Sequence, residues 1–327
     1  MKHYTLIFSI LLIFFSCKKE PQLLKVSGPV FGTSYSVQYF DLDGTSYNKQ
    51  FDSLFAIINK SMSNYQDNSD ISRLNRNEEV DVDDHFITVF KASKQIYRET
   101  EGVLDPTIGR IVNAWNFGSE NNTMTLDSVK IDSLMRFVGL NRVGLVDRKI
   151  KKPEASFIDF NAIAKGYGVD VIADFLESKN IKNYIVDIGG ELRAKGINIS
   201  KAKGWTVGIE NPNYDGSQSY NKTLVLKDQA MATSGTYRKF KIDENGNKYA
   251  HIINTKTGYP SKTNILSVSV IAQTCMMADG YATAFQAMGI EKVDYFMAKH
   301  PELKAFLIFE NDKGELESKA FNNFPVN

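Results

Sequence analysis

The stretch DFNAIAKGYGVD, Asp159 to Asp170, carries the reading of the fold. Phe157–Phe160 is a short run of strand character, and Val169, Ile172, Phe175 and Leu176 then recur at the spacing of a buried helical face. The pattern predicts a strand that ends at a helix over about residues 164–179. Such a junction exposes the N–H groups of a first helical turn, and with Lys165 beside them these suit a phosphate. The same residues also fit a plain strand-to-helix turn with a surface lysine. Neither GxGxxG nor GxxxxGK[ST] occurs, so no dinucleotide or Walker motif is indicated.

Outward from this junction, helices are predicted at 47–62, where Phe51, Leu54, Phe55, Ile58 and Met62 form a stripe, and at 85–100 and 127–138. Val30–Phe40 reads as a strand interrupted by Gly32-Thr33-Ser34, residues 63–77 as a long polar loop, and 101–125, which mixes Gly, Pro, Asn and aromatics, as no single regular element. On the other side, Tyr184–Ile188, Trp205–Ile209, Leu224–Lys227, Tyr237–Ile242 and Leu266–Ala272 read as strands. Glu244-Asn245-Gly246-Asn247 reads as a hairpin turn. Helices near 277–288 and 291–298 lead to Ala305–Phe309, expected to be the terminal sheet strand. With no tandem repeat and no low-complexity linker, the expectation is a single intertwined α+β domain over 30–327. Its sheets are mixed or antiparallel, with flanking helices.

The amino end, MKHYTLIFSILLIFFSCKKE, is a different kind of segment. Lys2 is followed by an apolar run, Leu6 to Phe15, shorter than the ~20 residues a membrane-crossing helix needs. It fits a signal peptide, and Phe14-Phe15-Ser16-Cys17 resembles a bacterial lipobox. Residues 1–16 are therefore expected to be removed, leaving lipid on Cys17 and a tether over 17–29. The protein would then be anchored outside the cytoplasm, facing the periplasm from the inner or the outer membrane. Removing 16 of 327 residues leaves 327 − 16 = 311, enough for a large core. Lys plus Arg number 39 against 38 acidic residues, a balance that argues against a broad nucleic-acid-binding surface. Two cysteines leave no room for a disulfide-rich scaffold or a multi-cysteine metal site, and four histidines, of which His3 leaves with the leader, argue against a multi-histidine zinc centre.

Oxygen donors are better represented. Asp279 and Thr283 lie four apart in ADGYATAF and share a helical face, able to offer a carboxylate and a hydroxyl to a hard cation such as Mg²⁺ or Ca²⁺. A capping Asp with a core-facing Thr is the plainer reading. Asp187-Ile188-Gly189-Gly190-Glu191 can bring backbone close to a ligand, or simply turn a corner. His251 suits proton transfer, a ligand carbonyl, or a structural hydrogen bond.

Taken together, GTSYSV (32–37), MSNYQDNSDISRLN (62–75), GVLDPTIGRIVNAWNFG (102–118), DFNAIAKGYGVD (159–170), VDIGGELRAKG (186–196), ATSGTYRKF (232–240), HIINTKTGYP (251–260) and MMADGYATAFQAMG (276–289) resemble the ApbE family of FAD:protein FMN transferases. The resemblance implies Mg²⁺-dependent transfer of FMN from FAD to a Ser or Thr of another exported protein, with AMP leaving. Acceptors in this family carry an Asp-x-x-Ser/Thr-Gly-Ala-Thr pattern, and respiratory complex subunits are among them. Carried over, it implies flavin contacts at Phe31, Tyr65, Trp115, Asn116 and Phe117, with Asp159, Lys165 and His251 near other FAD groups. The cation would lie at the Ala162 carbonyl, Asp279 and Thr283. His251, Asp279 and Lys165 are the implied catalytic group. The family's His-Ile-Ile-Asp reads His-Ile-Ile-Asn here, with Asn254 able to keep a hydrogen bond but not a charge. Two other outcomes fit the same residues: Mg²⁺-dependent hydrolysis of FAD to FMN and AMP, and a flavin-binding lipoprotein without catalysis.

Overall fold

Alternating apolar residues build one sheet, and helical stripes build the layer that covers it. The computed structural model describes residues 19–120, 126–213, 219–236, 240–242 and 248–326. The chain opens with a hairpin, β1 (Gln22–Val30) and β2 (Thr33–Asp41). Five helices follow: α1 (Asn48–Met62), α2 (Asp70–Asn75), α3 (Asp84–Glu99), α4 (Gly109–Ala114) and α5 (Ser128–Met135). Two short strands, β3 (Gly144–Val146) and β4 (Lys149–Lys151), precede α6 (Ala164–Ser178). Then come β5 (Tyr184–Ile188), β6 (Glu191–Lys195), β7 (Trp205–Glu210), β8 (Tyr220–Leu226), β9 (Gln229–Gly235), β10 (Phe240–Ile242), β11 (Lys248–Ala250) and β12 (Ile265–Ala272). The chain closes with α7 (Cys275–Met288), α8 (Ile290–Met297), β13 (Lys304–Glu310) and β14 (Leu316–Phe321).

Eight strands form one antiparallel sheet in the order β1-β2-β5-β6-β9-β12-β13-β14. Val186 and Ile188 of β5 point to the helices, where Val169, Ile172 and Leu176 of α6 meet them. Ile185, Leu192, Met231, Ile271 and Phe306 point the other way, under the β7–β8 ribbon with Trp205, Val207 and Leu224. β12 is buried at every position because both faces of the sheet are covered there. Each fully buried aliphatic or aromatic side chain contributes about 1.5–3 kcal/mol to this sandwich. The single α+β domain with an antiparallel sheet and flanking helices is the fold the chain adopts.

The sheet begins before residue 30. Residues 22–29, read from sequence as part of a tether, form β1, and the interruption at Gly32 is the hairpin turn. Phe31 and Gly32 have φ of +48° and +75°, the pair of positive values a two-residue turn with the right twist requires. The leader and Cys17 lie outside the described residues, as does the hairpin turn expected at 244–247.

Three other segments differ from the sequence reading. The loop at 63–77 contains α2, capped by Ser69. Phe157–Phe160 is not a strand, apart from a single bridge between Phe157 and Ile108. Its backbone is satisfied otherwise: Ile158 N–H donates to Asn75 Oδ1 and Ile158 O accepts from Asn75 Nδ2, each at 2.8 Å. A buried amide side chain thus does what a neighbouring strand would do. Ala305–Phe309 lies in β13, but the terminal strand is β14, whose exposed LESKAF sequence hides its strand character.

Candidate functional site

The helix ends set the site. α6 has no side-chain cap of its own at Ile163. Its Gly166 N–H instead donates to Asp279 Oδ2 of α7 at 2.9 Å. In return, Asp170 of α6 accepts from Cys275 N–H at 3.0 Å and Met276 N–H at 2.8 Å, at the first turn of α7. Each helix therefore places a carboxylate on the other's free N–H groups, where the helix dipole favours negative charge. Gly166 is required for this approach: a Cβ there would lie 2.3 Å from Cys275 O and 2.8 Å from Asp279 Cβ.

Lys165 points to β6, where its Nζ meets Glu191 Oε1 at 2.6 Å. Glu191 and Asp279 are buried, at 2% and 6% exposure, and Lys165 is the cation that both carboxylates act on. Burial pushes the Asp279 carboxyl up to about 7; Lys165 opposes that rise and Glu191 adds to it. Burial pulls the Lys165 ammonium down, but Glu191 and then Asp279 outweigh it and hold the group above its ordinary range. Thr283 lies half-buried one turn beyond Asp279, and Ile163, just after Ala162, reaches toward α7 at Gly280. The structure thus brings the start of α6 against Asp279, with Thr283 one turn further along α7. Among the described residues no group of three or more His, Cys, Asp and Glu side chains is arranged to hold a metal.

The other predicted residues fall around this centre in separate clusters. Asp159 Oδ1 accepts from Asn161 N–H at 2.7 Å, and the Asn161 side chain donates to Asp159 Oδ2 at 3.2 Å; the exposed Tyr65 hydroxyl is near enough for both residues to act on it. Phe31 packs edge-on against Phe55, and a Cβ on Gly168 of α6 would lie 2.6 Å from its ring. The β1–β2 turn and the Gly189-Gly190 turn lie side by side, with Gly189 N–H donating to Ser34 O at 3.0 Å.

The third cluster joins two loops. Trp115 Nε1 donates to Gly258 O at 2.9 Å, its ring lies 6.0 Å from that of Tyr259, and His251 stands edge-on to Phe117 at 6.4 Å. Phe117 is buried with Ile111 and Ile253, whereas Asn116, at φ +58°, is exposed. Thr255 Oγ1 also donates to Gly102 O at 2.6 Å, so the 251–260 loop is fastened to the 101–118 segment at several points. Asn254 caps that loop: its Oδ1 accepts from Lys256 N–H at 2.9 Å and Thr257 N–H at 3.2 Å. The departure from aspartate therefore falls on a turn-capping oxygen that asparagine supplies equally well.

Asp170 and Arg193 were not among the sequence candidates. The signal was present in ELRAK, where Glu191, Arg193 and Lys195 alternate along a central strand and so face the same helix.

The ApbE family profile matches residues 31–307. A protein of Vibrio cholerae serotype O1 described as FAD:protein FMN transferase is 34% identical over 336 residues, covering 99% of each chain. A Haemophilus influenzae protein of the same description is 35% identical over 315 residues, covering 91% of this chain and 90% of its own. Among solved structures, the flavin transferase ApbE from Vibrio cholerae is similar with a TM-score of 0.82 at 33% identity, over 93% of this chain and 98% of that one. The Pseudomonas stutzeri flavinyl transferase ApbE in its apo form gives 0.82 at 26% identity, over 93% and 96%.

Proposed function

The chain belongs to the ApbE family, and from that premise we propose that it moves FMN from FAD onto a Ser or Thr hydroxyl of an exported protein, releasing AMP with Mg²⁺ as the supporting cation. FAD:protein FMN transferase activity comes with the family. The acceptor hydroxyl, the leaving AMP and the cation are what the resemblance to that family implies.

The observation that carries the reading is the buried Asp279 carboxylate, held by Gly166 N–H at the start of α6 beside the Lys165–Glu191 pair. Buried carboxylates are costly unless a cation balances them. The residues present fit a hard divalent ion: the Asp279 carboxylate, the Thr283 hydroxyl and the Ala162 carbonyl would hold it. One protein carboxylate with substrate phosphate oxygens is a familiar Mg²⁺ shell. Bound there, the cation would neutralise charge on the diphosphate of FAD and align it.

The chain's own groups complete the chemistry. Lys165 adds positive charge for the diphosphate, restrained by Glu191. Gly166 N–H keeps one Asp279 oxygen in place. Phe31, Tyr65, Trp115, Asn116 and Phe117 supply flat and polar contacts for the flavin, with Asp159 near the adjoining groups. The acceptor oxygen forms an ester bond to the FMN-side phosphorus as the bond from that phosphorus to the bridging oxygen breaks. The electron pair leaves with AMP, and we assign the hydroxyl proton to His251. Lipid on Cys17 would anchor the enzyme to the inner or the outer bacterial membrane, facing the periplasm, among exported acceptors bearing Asp-x-x-Ser/Thr-Gly-Ala-Thr. No described helix is long and apolar enough to cross that membrane.

The test is incubation of the 18–327 chain with FAD, Mg²⁺ and an exported protein bearing that pattern, read by in-gel flavin fluorescence and mass mapping. An FMN adduct on the Ser or Thr, with one AMP per adduct, is expected. Free FMN with no adduct would defeat the proposal.

A further inference from the structure

Below the Lys165–Glu191 pair, β6 makes a second charged contact with α6. Arg193, two residues after Glu191 on the same face of the strand, reaches Asp170 at 3.0 Å, Asp174 at 2.9 Å and Glu177 at 3.0 Å. Lys195, two further on, also pairs with Glu177, which accepts from Tyr184 Oη at 2.7 Å. Asp170 differs from the other two acids on α6. It is 6% exposed, and its two oxygens are committed at once to Arg193 and to the N–H groups of Cys275 and Met276.

That commitment fixes a register. Gly166 and Asp170 are one turn apart on α6, and Cys275 and Asp279 are one turn apart on α7. Asp170 holds Cys275 while Gly166 holds Asp279, so the two contacts form the two ends of one antiparallel clasp. Thr274 adds a local cap by accepting from Met277 N–H at 3.3 Å. It satisfies a different N–H and makes no contact with α6 through that bond. Orientation of Asp279 against the start of α6 therefore depends on Asp170, and the charge of buried Asp170 depends on Arg193.

We propose that Asp170 and Arg193 are positioning residues for Asp279: through the capped start of α7 they hold its carboxylate where it can serve a divalent cation. The proposal rests on the reading of Asp279 as a cation ligand. Asparagine at 170 keeps one acceptor oxygen for two N–H groups and turns an NH₂ toward donors, so the first turn of α7 loosens. Lysine at 193 keeps the charge but cannot fork across three carboxylates.

Mn²⁺ binding, followed by electron paramagnetic resonance or calorimetry with and without FAD, tests this on D170N and R193K. Partners that orient a metal ligand typically cost 10–100-fold in affinity when altered, so D170N should weaken Mn²⁺ binding about tenfold or more and R193K by less. In transfer assays the Mg²⁺ concentration for half-maximal rate should rise by a similar factor, with the KM for FAD little changed and excess Mg²⁺ restoring much of kcat. A merely structural role would lower Tm while leaving the folded protein's Mn²⁺ affinity unaltered, and that result overturns the proposal. Should D170N fail to fold, R193K decides it: wild-type Mn²⁺ affinity in folded R193K also overturns it. Failure of the unaltered protein to bind Mn²⁺ under either condition is a different result, and would remove the cation reading itself.

Discussion

Gly166 and Asp279, 113 positions apart in sequence, meet through a 2.9 Å bond from the backbone N–H of one to the carboxylate of the other. The acid thereby caps a helix it does not belong to. The contact makes the closeness of α6 and α7 a condition of the site, because a glycine is what allows the two backbones to approach.

Replacing Gly166 with Ala should test that closeness. The added methyl would sit 2.3 Å from Cys275 O, a backbone atom that cannot swing aside. Overpacking of this kind costs about 1–3 kcal/mol, and the helices must separate to relieve it. Thermal unfolding should show the loss, and transfer activity should fall further than the Tm shift explains, because Asp279 moves with α7.

Asp279→Asn separates charge from shape. A direct ligand is worth more than the 10–100-fold typical of its outer partners, so Mg²⁺-dependent transfer should fall by at least about a hundredfold. Without cation the variant should be no less stable than the parent at pH 8, since it no longer buries that charge. Wild-type kinetics in the variant would remove Asp279 from the site.

The same carboxyl gives stability a pH dependence. Its folded pKa, about 7, lies above the ordinary 3.8, so the folded protein holds a proton that the unfolded chain releases. The contribution is present in full below about pH 4 and is lost as pH rises through 7. Cation-free protein should therefore lose stability from this group between pH 5 and pH 8. Added Mg²⁺ should raise Tm more at pH 8 than at pH 5.5, where the proton competes for the same oxygens. Equal Mg²⁺ shifts at both values, measured by calorimetry, would contradict this origin.

Asn254→Asp should be nearly silent. Both side chains offer an oxygen to the N–H groups of Lys256 and Thr257. Asn254→Ala removes it, and should cost about 1 kcal/mol together with some rate, because the loop that carries His251 is then less well held. A large gain in transfer rate for the aspartate variant would show that charge matters there after all.

The sequence made the helical layer legible because α1, α3, α6 and α7 each carry an apolar stripe at regular spacing, and these were placed within about two residues. Strands were less so. β14 is exposed along most of its length and so has no buried alternation to read, and β1 reads as tether because its residues are mostly exposed or half-exposed at the sheet edge. At the site, spacing shows only that Asp279 and Thr283 share a face of one helix, and it is the family resemblance that singles the pair out. The pairing of Lys165 with Glu191, and of Asp170 with the start of α7, was not readable, since it joins residues 26 and 105 positions apart and spacing says nothing across that distance.

The clasp between α6 and α7 has a consequence for biogenesis. Its bonds span 105, 106 and 113 positions, and contacts so distant in sequence form only after long loops have closed. A polypeptide threaded through a translocation pore amino end first would carry Lys165 and Glu191 across well before Asp279 arrives. On a chain exported in that way no working centre could assemble before Asp279 crossed, and the half-delivered enzyme would be inert toward nucleotide.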